Sequence, residues 1–139
     1  IQPAVLDNFK QQLLDDFTLT IDRFMALQAM GSPSAKLDIK TLKQAVLSRP
    51  SPNPEALMSG LDILATVDYR DDLKKLTMPA LRLYGRLDGL VPRKVAQDVD
   101  ILTTKSTSVV FQASSHAPFI TEASLFSQKI IDFAQQSLK

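Results

Sequence analysis

Hydrophobic residues recur at steps of three and four through the first part of the chain. Between residues 3 and 30 they stand at Val5, Leu6, Phe9, Leu13, Phe17, Ile21, Phe24 and Leu27. This spacing places them on one face of a helix, and the adjacent acids Asp15 and Asp16 predict a division into two helices. Further helices are predicted over 35–48, where the serines of SPS offer a cap, and from 54 to about 64, after the proline-rich RPSPNP.

The hydrophobic pattern changes in the second half of the chain. Residues 79–85 (PALRLYG) and 106–112 (STSVVFQ) are short apolar runs of the kind that form strands. Helical spacing predicts helices over 91–102 and 121–137. Alternating strands and helices imply parallel strands with covering helices. The boundary between the all-helical part and this α/β part is predicted near residues 65–70.

An acidic residue and the only histidine of the chain each follow one of the predicted strands. Asp88 lies in LYGRLDGLVPRK and His116 in SSHAPF. Parallel strands joined by a crossover end at the same edge of the sheet, about 4.8 Å apart when they are neighbours. We therefore expect the two side chains to meet. Asp88 would fix the tautomer of His116, and His116 would act as general base and then as general acid.

Each of these residues alone also has a purely structural interpretation. LDG is a common turn, because an aspartate bonds its own backbone there, and a lone histidine in a loop is often structural. The order of elements is more specific, since acid before histidine is the α/β-hydrolase order. That order needs an upstream serine in a G-x-S-x-G turn, which does not occur in the sequence. The chain is therefore predicted to hold the acid and the base of a site, without its nucleophile.

Composition narrows the classes of function. The chain has 139 residues, 45% of them hydrophobic, and a net charge of +1, so no overall field attracts it to nucleic acid or membrane. It has no cysteine, which excludes disulfides and thiolate metal sites. No apolar run approaches the roughly 20 residues of a membrane span. We predict no nucleic-acid or membrane partner, no metal and no cofactor, and a cytoplasmic location.

Four stretches resemble one α/β-hydrolase family closely. They are LRLYGRLDGLVPRK, SSHAPF, FMALQAMG and GLDILATVDYRDDL, and they look like the BioH carboxylesterase family, the pimeloyl-acyl-carrier-protein methyl ester esterases of biotin synthesis. The resemblance covers essentially the whole chain but only the latter part of that fold. It implies a partial α/β-hydrolase fold, with a helical lid over 1–67 and the last two parallel strands and their helices over 68–139. The serine and the oxyanion hole would lie before Ile1.

The resemblance also implies roles for individual residues. Asp88 and His116 would be the acid and the base of an enzyme that frees the carboxyl group of a pimeloyl methyl ester. Phe24, Leu27 and Gln28 match the lid segment that lines the acyl pocket, together with His116. Phe24 and Leu27 fit an ordinary core position equally well, since they lie on the apolar face of the first helices. The chain by itself is expected to be inactive.

Basic residues in the helical part suggest a partner. Lys36, Lys40 and Lys43 share one face of a predicted helix, at i, i+4 and i+7. By resemblance, Arg23, Lys36 and Lys40 match basic positions of the family's surface for the acidic acyl-carrier protein. Leu19 stands where that surface can carry another arginine. A merely solvated helix face is the alternative interpretation.

Two other functions stay open at this stage. One is a helical module that binds an acidic carrier protein without catalysis, and the other is part of a broad-range lidded esterase. In the family fold the strand near Ala80–Gly85 would lack one neighbour in this chain. An open strand edge and uncovered apolar helix faces promote association, so we expect the isolated chain to self-associate.

Overall fold

The computed structural model describes residues 3–103 and 105–137. All-helical structure comes first and the strands follow, as the change of hydrophobic period predicted. The elements in chain order are α1 (Pro3–Asp15), α2 (Phe17–Ala29), α3 (Ala35–Leu47), α4 (Pro54–Thr66), α5 (Arg70–Leu73), β1 (Ala80–Gly85), α6 (Arg93–Leu102), β2 (Ser106–Phe111), α7 (Pro118–Thr121) and α8 (Ala123–Ser137).

The break between α1 and α2 falls at Asp16, where the paired acids predicted it. Asp16 has an extended backbone, and its side chain accepts a hydrogen bond from the backbone N–H of Leu19 at 3.0 Å. An aspartate in this position satisfies one of the free N–H groups at a helix start. The extended backbone of Asp16 therefore ends α1, and its side chain caps the start of α2.

Helices α1 to α4 share one apolar core. Its buried members are Leu6, Leu13, Ile21, Met25, Leu42 and Leu61, with Ala117 from the second half of the chain. Phe9 and Phe24 pack together at its margin, with ring centroids 4.9 Å apart. The periodic positions thus form the core, apart from Val5 and Leu27, which are about half exposed. Among the described residues, no helix is both long and apolar enough to cross a membrane.

Several predicted boundaries were wrong, and the causes are local. The helix predicted over 121–137 begins at Ala123, because Glu122 leaves helical geometry between α7 and α8. The helix predicted over 91–102 begins at Arg93, because Pro92 is extended. The strand predicted over 106–112 ends at Phe111, and the strand predicted over 79–85 starts at Ala80.

The helices of the first half differ slightly as well. Helix α3 ends at Leu47, and α4 continues to Thr66. The short helix α5 was not predicted.

The cap predicted for α3 is also different in detail. Ser34 occupies the N-cap position, but its side chain makes no bond to the backbone of the helix. Its hydroxyl donates instead to the carboxylate of Asp38, one turn into α3. The serines before α3 therefore bind a buried acid, and the helix start is not capped by a serine oxygen.

Strands β1 and β2 are parallel neighbours, in register from Ala80 opposite Ser106 to Gly85 opposite Phe111. Both strands end at the same edge, as a strand–helix–strand unit requires. Phe111 is almost fully buried and packs against Phe126 of α8, with centroids 5.7 Å apart. The partial α/β-hydrolase fold is thus present, whereas the division into residues 1–67 and 68–139 stays a prediction, with both chain ends outside the described residues.

Candidate active site

The loop after β1 builds a carboxylate site from its own backbone. Asp88 is buried, and its Oδ1 accepts the N–H groups of Leu90 and Val91 at 2.8 and 2.9 Å. These bonds form the turn that the structural interpretation of LDG predicted. They use only one carboxylate oxygen, so Oδ2 remains available to another partner.

His116 contacts that second oxygen. His116 Nδ1 lies 2.8 Å from Asp88 Oδ2. An ionised carboxylate only accepts hydrogen bonds, so Nδ1 carries the proton and Nε2 is the acceptor. The His116 side chain is 37% exposed, against 6% for that of Asp88. Within the described ranges Nε2 has no hydrogen-bond partner, which leaves it free to take a proton from a nucleophile.

The serines of the chain do not complete this pair. Ser114 and Ser115 are fully buried beside His116, but their hydroxyls donate to Glu122 and to the Leu87 carbonyl. Ser32 and Ser34 both donate to Asp38. In the part of the chain that the structure describes, no serine hydroxyl bonds to His116. The described residues therefore contain the Asp88–His116 pair without a serine bonded to it.

Three contacts that sequence reasoning missed hold the His loop, residues 112–117. Glu122 Oε2 accepts the N–H of Ala113 at 3.1 Å and the hydroxyl of Ser114 at 2.5 Å. The N–H of His116 itself donates to the Gln28 carbonyl of α2 at 3.0 Å. Glu122 stands close after the loop, which offered a local signal. The bond to Gln28 had no signal in the sequence, because any residue has a carbonyl.

Gly85 allows the two loops to approach each other. A Cβ built on Gly85 would lie 1.8 Å from the carbonyl oxygen of Ser115 and 2.7 Å from that of Ser114. The Leu87 N–H also donates to the Ser114 carbonyl at 2.9 Å. A glycine at the end of a strand often marks such a close backbone approach. This close contact holds the acid loop and the His loop side by side.

An apolar cavity of about 120 Å³ adjoins the acid loop. Phe24 and Leu27 line it together with residues of α1 and α4, and Leu90 of the acid loop completes the wall. Leu27 is 49% exposed, so it is not an ordinary core residue as the alternative interpretation had it. Gln28 does not line this cavity and contacts the site through its backbone. Among residues 3–103 and 105–137, no cluster of acidic or histidine side chains could hold a metal ion.

Comparison with known proteins identifies relatives of the chain. The chain is 63% identical over 134 residues to the pimeloyl-[acyl-carrier protein] methyl ester esterase of Vibrio cholerae, and 65% identical over 135 residues to that of Vibrio parahaemolyticus. These matches cover 96% and 97% of the chain. The chain is a close relative of one part of the pimeloyl-[acyl-carrier protein] methyl ester esterases. It spans about half the length of these relatives, 52% and 53%. No family model matches the chain.

Solved structures agree on the fold. An esterase from Exiguobacterium antarcticum superposes with a TM-score of 0.84 and covers 97% of the chain, at 18% identity. A thermophilic esterase from Thermogutta terrifontis gives a TM-score of 0.81 over 99% of the chain, at 20% identity. The chain covers 49% and 52% of these structures. A partial α/β-hydrolase fold accounts for both comparisons.

The basic positions that resemble the family's carrier surface lie on α2 and α3. Arg23, Lys36 and Lys40 are all exposed. Lys43, on the same face of α3, is paired with Asp22 at 2.7 Å, and this pair fixes α3 beside α2. Across the described residues, the other three make no ion pair within the chain. Their charges are therefore free to meet an acidic partner.

Proposed function

We propose that this chain is the lid and the acid–base part of a serine carboxylesterase that hydrolyses the methyl ester of pimeloyl-acyl-carrier protein. Asp88 orients and stabilises His116, and His116 Nε2 takes the proton of a serine whose oxygen attacks the ester carbonyl. His116 then gives this proton to the leaving methoxide oxygen, which departs as methanol. Water, activated by the same base, hydrolyses the acyl-serine and frees the carboxylate. The serine and the oxyanion donors belong to the part of the enzyme that this chain does not span. The term full-length enzyme is used below for the complete protein that contains this chain and has the length of its relatives.

The observation that carries the proposal is the 2.8 Å contact between Asp88 Oδ2 and His116 Nδ1, with Nε2 left free. A buried carboxylate on one ring nitrogen and an exposed second nitrogen are what a general base needs. The names of the relatives supply the substrate, and the apolar cavity beside Leu90 suits an acyl chain. Phe24 and Leu27 would contact that chain, whereas Gln28 would support the site through its backbone bond to His116.

We propose further that residues 1–67 act as the lid and residues 68–139 as the core that carries the acid and the base. Helices α1, α2 and α4 supply most of the cavity wall, while the acid loop closes its end.

A cytoplasmic location is part of the same proposal. The sequence needs no oxidising compartment, because it has no cysteine that would have to form a disulfide.

The direct test is an assay of the full-length enzyme and of the isolated chain on pimeloyl-carrier-protein methyl ester, with loss of the methyl group followed by mass spectrometry. We expect turnover by the full-length enzyme and none by the chain alone. A full-length enzyme that leaves this ester intact, yet hydrolyses short p-nitrophenyl esters, would favour a broad-range esterase. Carrier binding without turnover of any ester would favour a binding module.

Reversing the charges of Arg23, Lys36 and Lys40 to glutamate is expected to impair only the carrier-bound substrate. Exposed charges steer association, so kcat/KM for the carrier substrate should fall on the order of tenfold at low salt. Its dependence on salt should weaken as well. Hydrolysis of a short p-nitrophenyl ester, measured in the same full-length variant, should stay close to the wild-type rate.

Lys105→Glu is the matched control for these reversals. Lys105 is exposed and directly precedes β2, at the opposite end of the strand from the His loop. Its reversal changes the net charge by as much as each single reversal of Arg23, Lys36 or Lys40, but it should leave both substrates unaffected. Equal losses on both substrates in the Arg23, Lys36 and Lys40 variants would contradict a carrier-binding role for this surface.

The isolated chain is expected to self-associate. Within the described residues β1 pairs only with β2, which leaves one edge of β1 open. Leu64 on α4 and Ile131 on α8 are 70% and 48% exposed. Light scattering coupled to size exclusion, over a dilution series, should show a mass that rises with concentration. A monomer at every concentration would contradict this expectation.

A further inference from the structure

Asp38 is a buried acid that the ester chemistry does not use. It lies in the first turn of α3 and is only 3% exposed. Its carboxylate accepts three hydroxyl groups: Ser32 Oγ at 2.8 Å, Ser34 Oγ at 2.9 Å and Thr121 Oγ1 at 2.7 Å. The N-terminal end of a helix also favours a negative charge. A buried carboxylate with this many donors is a fully bonded anchor.

Two of these hydroxyls are local, and the third comes from the far side of the chain. Ser32 and Ser34 belong to the α2–α3 turn, residues 30–34. Thr121 is 83 positions away and is the last residue of α7. That helix starts two residues after His116, and its backbone is closed by the bond from the Thr121 N–H to the Ala117 carbonyl at 3.1 Å. The backbone between Thr121 and His116 therefore has little conformational freedom.

A second bond ties the end of α2 to the His loop. The His116 N–H donates to the Gln28 carbonyl. Gln28 is next to last in α2, where carbonyl groups lack a partner within the helix. The His loop is thus bonded to the residues on both sides of the α2–α3 turn, to Gln28 before it and, through Thr121, to Asp38 after it.

We propose that Asp38 is a positioning residue for His116. Its carboxylate holds α7 against the α2–α3 turn, and this contact keeps the His116 backbone on Gln28 and the ring on Asp88. The inference rests on the proposed function and extends it to a residue outside the site. A carboxylate suits the role because its two oxygens accept all three hydroxyls, with Ser32 and Thr121 on Oδ2 and Ser34 on Oδ1.

The test compares two single hydroxyl deletions on the same carboxylate, both in the full-length enzyme. Thr121→Val removes the hydroxyl that joins α7 to the α2–α3 turn and keeps the branched shape. Ser34→Ala removes a hydroxyl that acts only within the turn. Thr121→Ser restores the bridging hydroxyl, and Asp38→Asn changes the carboxylate itself.

Activity on a short p-nitrophenyl ester gives the first readout. Thr121→Val should lower kcat by roughly 10- to 100-fold with little change in KM, because a displacement of about 1 Å at a catalytic group costs on the order of 100-fold. Asp38→Asn should have a smaller effect, because its amide oxygen can still accept both Ser32 and Thr121, which share Oδ2 in the carboxylate. Ser34→Ala and Thr121→Ser should keep kcat near the wild-type value.

Amide hydrogen exchange gives a second readout that does not need activity. In Thr121→Val, exchange should accelerate in peptides covering 112–118, where the His116 N–H is bonded, while the rest of the protein keeps its protection. Ser34→Ala should leave these peptides protected. Equal kcat and equal exchange in Thr121→Val and Ser34→Ala would overturn the positioning role. Failure of the proposed function would appear separately, as a wild-type enzyme without ester hydrolysis but with the exchange pattern intact.

Discussion

Asp88→Asn in the full-length enzyme is expected to lower kcat by about ten-thousandfold while the protein stays folded. The structure explains why a single atom matters. Asp88 Oδ1 accepts two backbone N–H groups, from Leu90 and Val91. In the asparagine variant the amide oxygen must remain on these donors, so its NH2 group turns toward His116. Nδ1 then becomes the acceptor, the proton moves to Nε2, and His116 can no longer act as the base.

Asp98→Asn is the matched control for this substitution. Asp98 is exposed on α6 and, within the described ranges, its one ion pair is with Lys94, one turn away. The same chemical change there should leave kcat on a p-nitrophenyl ester unaltered, since exposed pairs contribute little. A loss of less than about tenfold in Asp88→Asn, with the fold intact, would make Asp88 a turn residue and not a triad acid.

Gly85→Ala is expected to destabilise the fold strongly, by at least about 3 kcal/mol. A Cβ at this position would lie 1.8 Å from the Ser115 carbonyl oxygen, and backbone cannot move away as a side chain can. Overpacking by a single methyl group typically costs about 1–3 kcal/mol, and more where the neighbours are rigid. The unfolding midpoint in urea, or loss of soluble protein, measures the effect.

Gly60→Ala provides the comparison for Gly85→Ala. Gly60 lies within α4, and a Cβ there would meet no atom within 4 Å. Alanine in a helix interior is favoured over glycine by about 0.5–1 kcal/mol, so this variant should be slightly more stable than the wild type. A Gly85→Ala protein with the midpoint of Gly60→Ala would contradict the close packing of the acid and histidine loops.

The features that could be predicted from the sequence depend on the local residue pattern and on the topology of one strand–helix–strand unit. Asp16 was recognised as a helix break because its side chain acts on its own neighbours. The meeting of Asp88 and His116 followed from chain order alone, because parallel neighbouring strands end at one edge. The helix starts at Arg93 and Ala123 were missed, since they depend on the extended Pro92 and on the departure of Glu122 from helical geometry.

Contacts across long sequence separations could not be predicted in this way. The bond from His116 to the Gln28 carbonyl uses backbone groups that every residue has. The bond from Thr121 to Asp38 joins two ordinary polar residues through tertiary packing. Gly85 gave only a general signal, and its close approach to Ser115 became specific once the two loops were placed side by side. These contacts position the site, and they depend on the assembled fold.

Labelling with a fluorophosphonate, followed by peptide mapping, tests the central claim most directly. The reagent bonds covalently to a serine that a histidine base has activated. In the full-length enzyme we predict one labelled serine, outside these 139 residues, and loss of labelling in His116→Ala. The isolated chain should stay unlabelled. A label on any serine of this chain, or undiminished labelling in His116→Ala, would contradict the assignment of Asp88 and His116 as the acid and the base of a shared site.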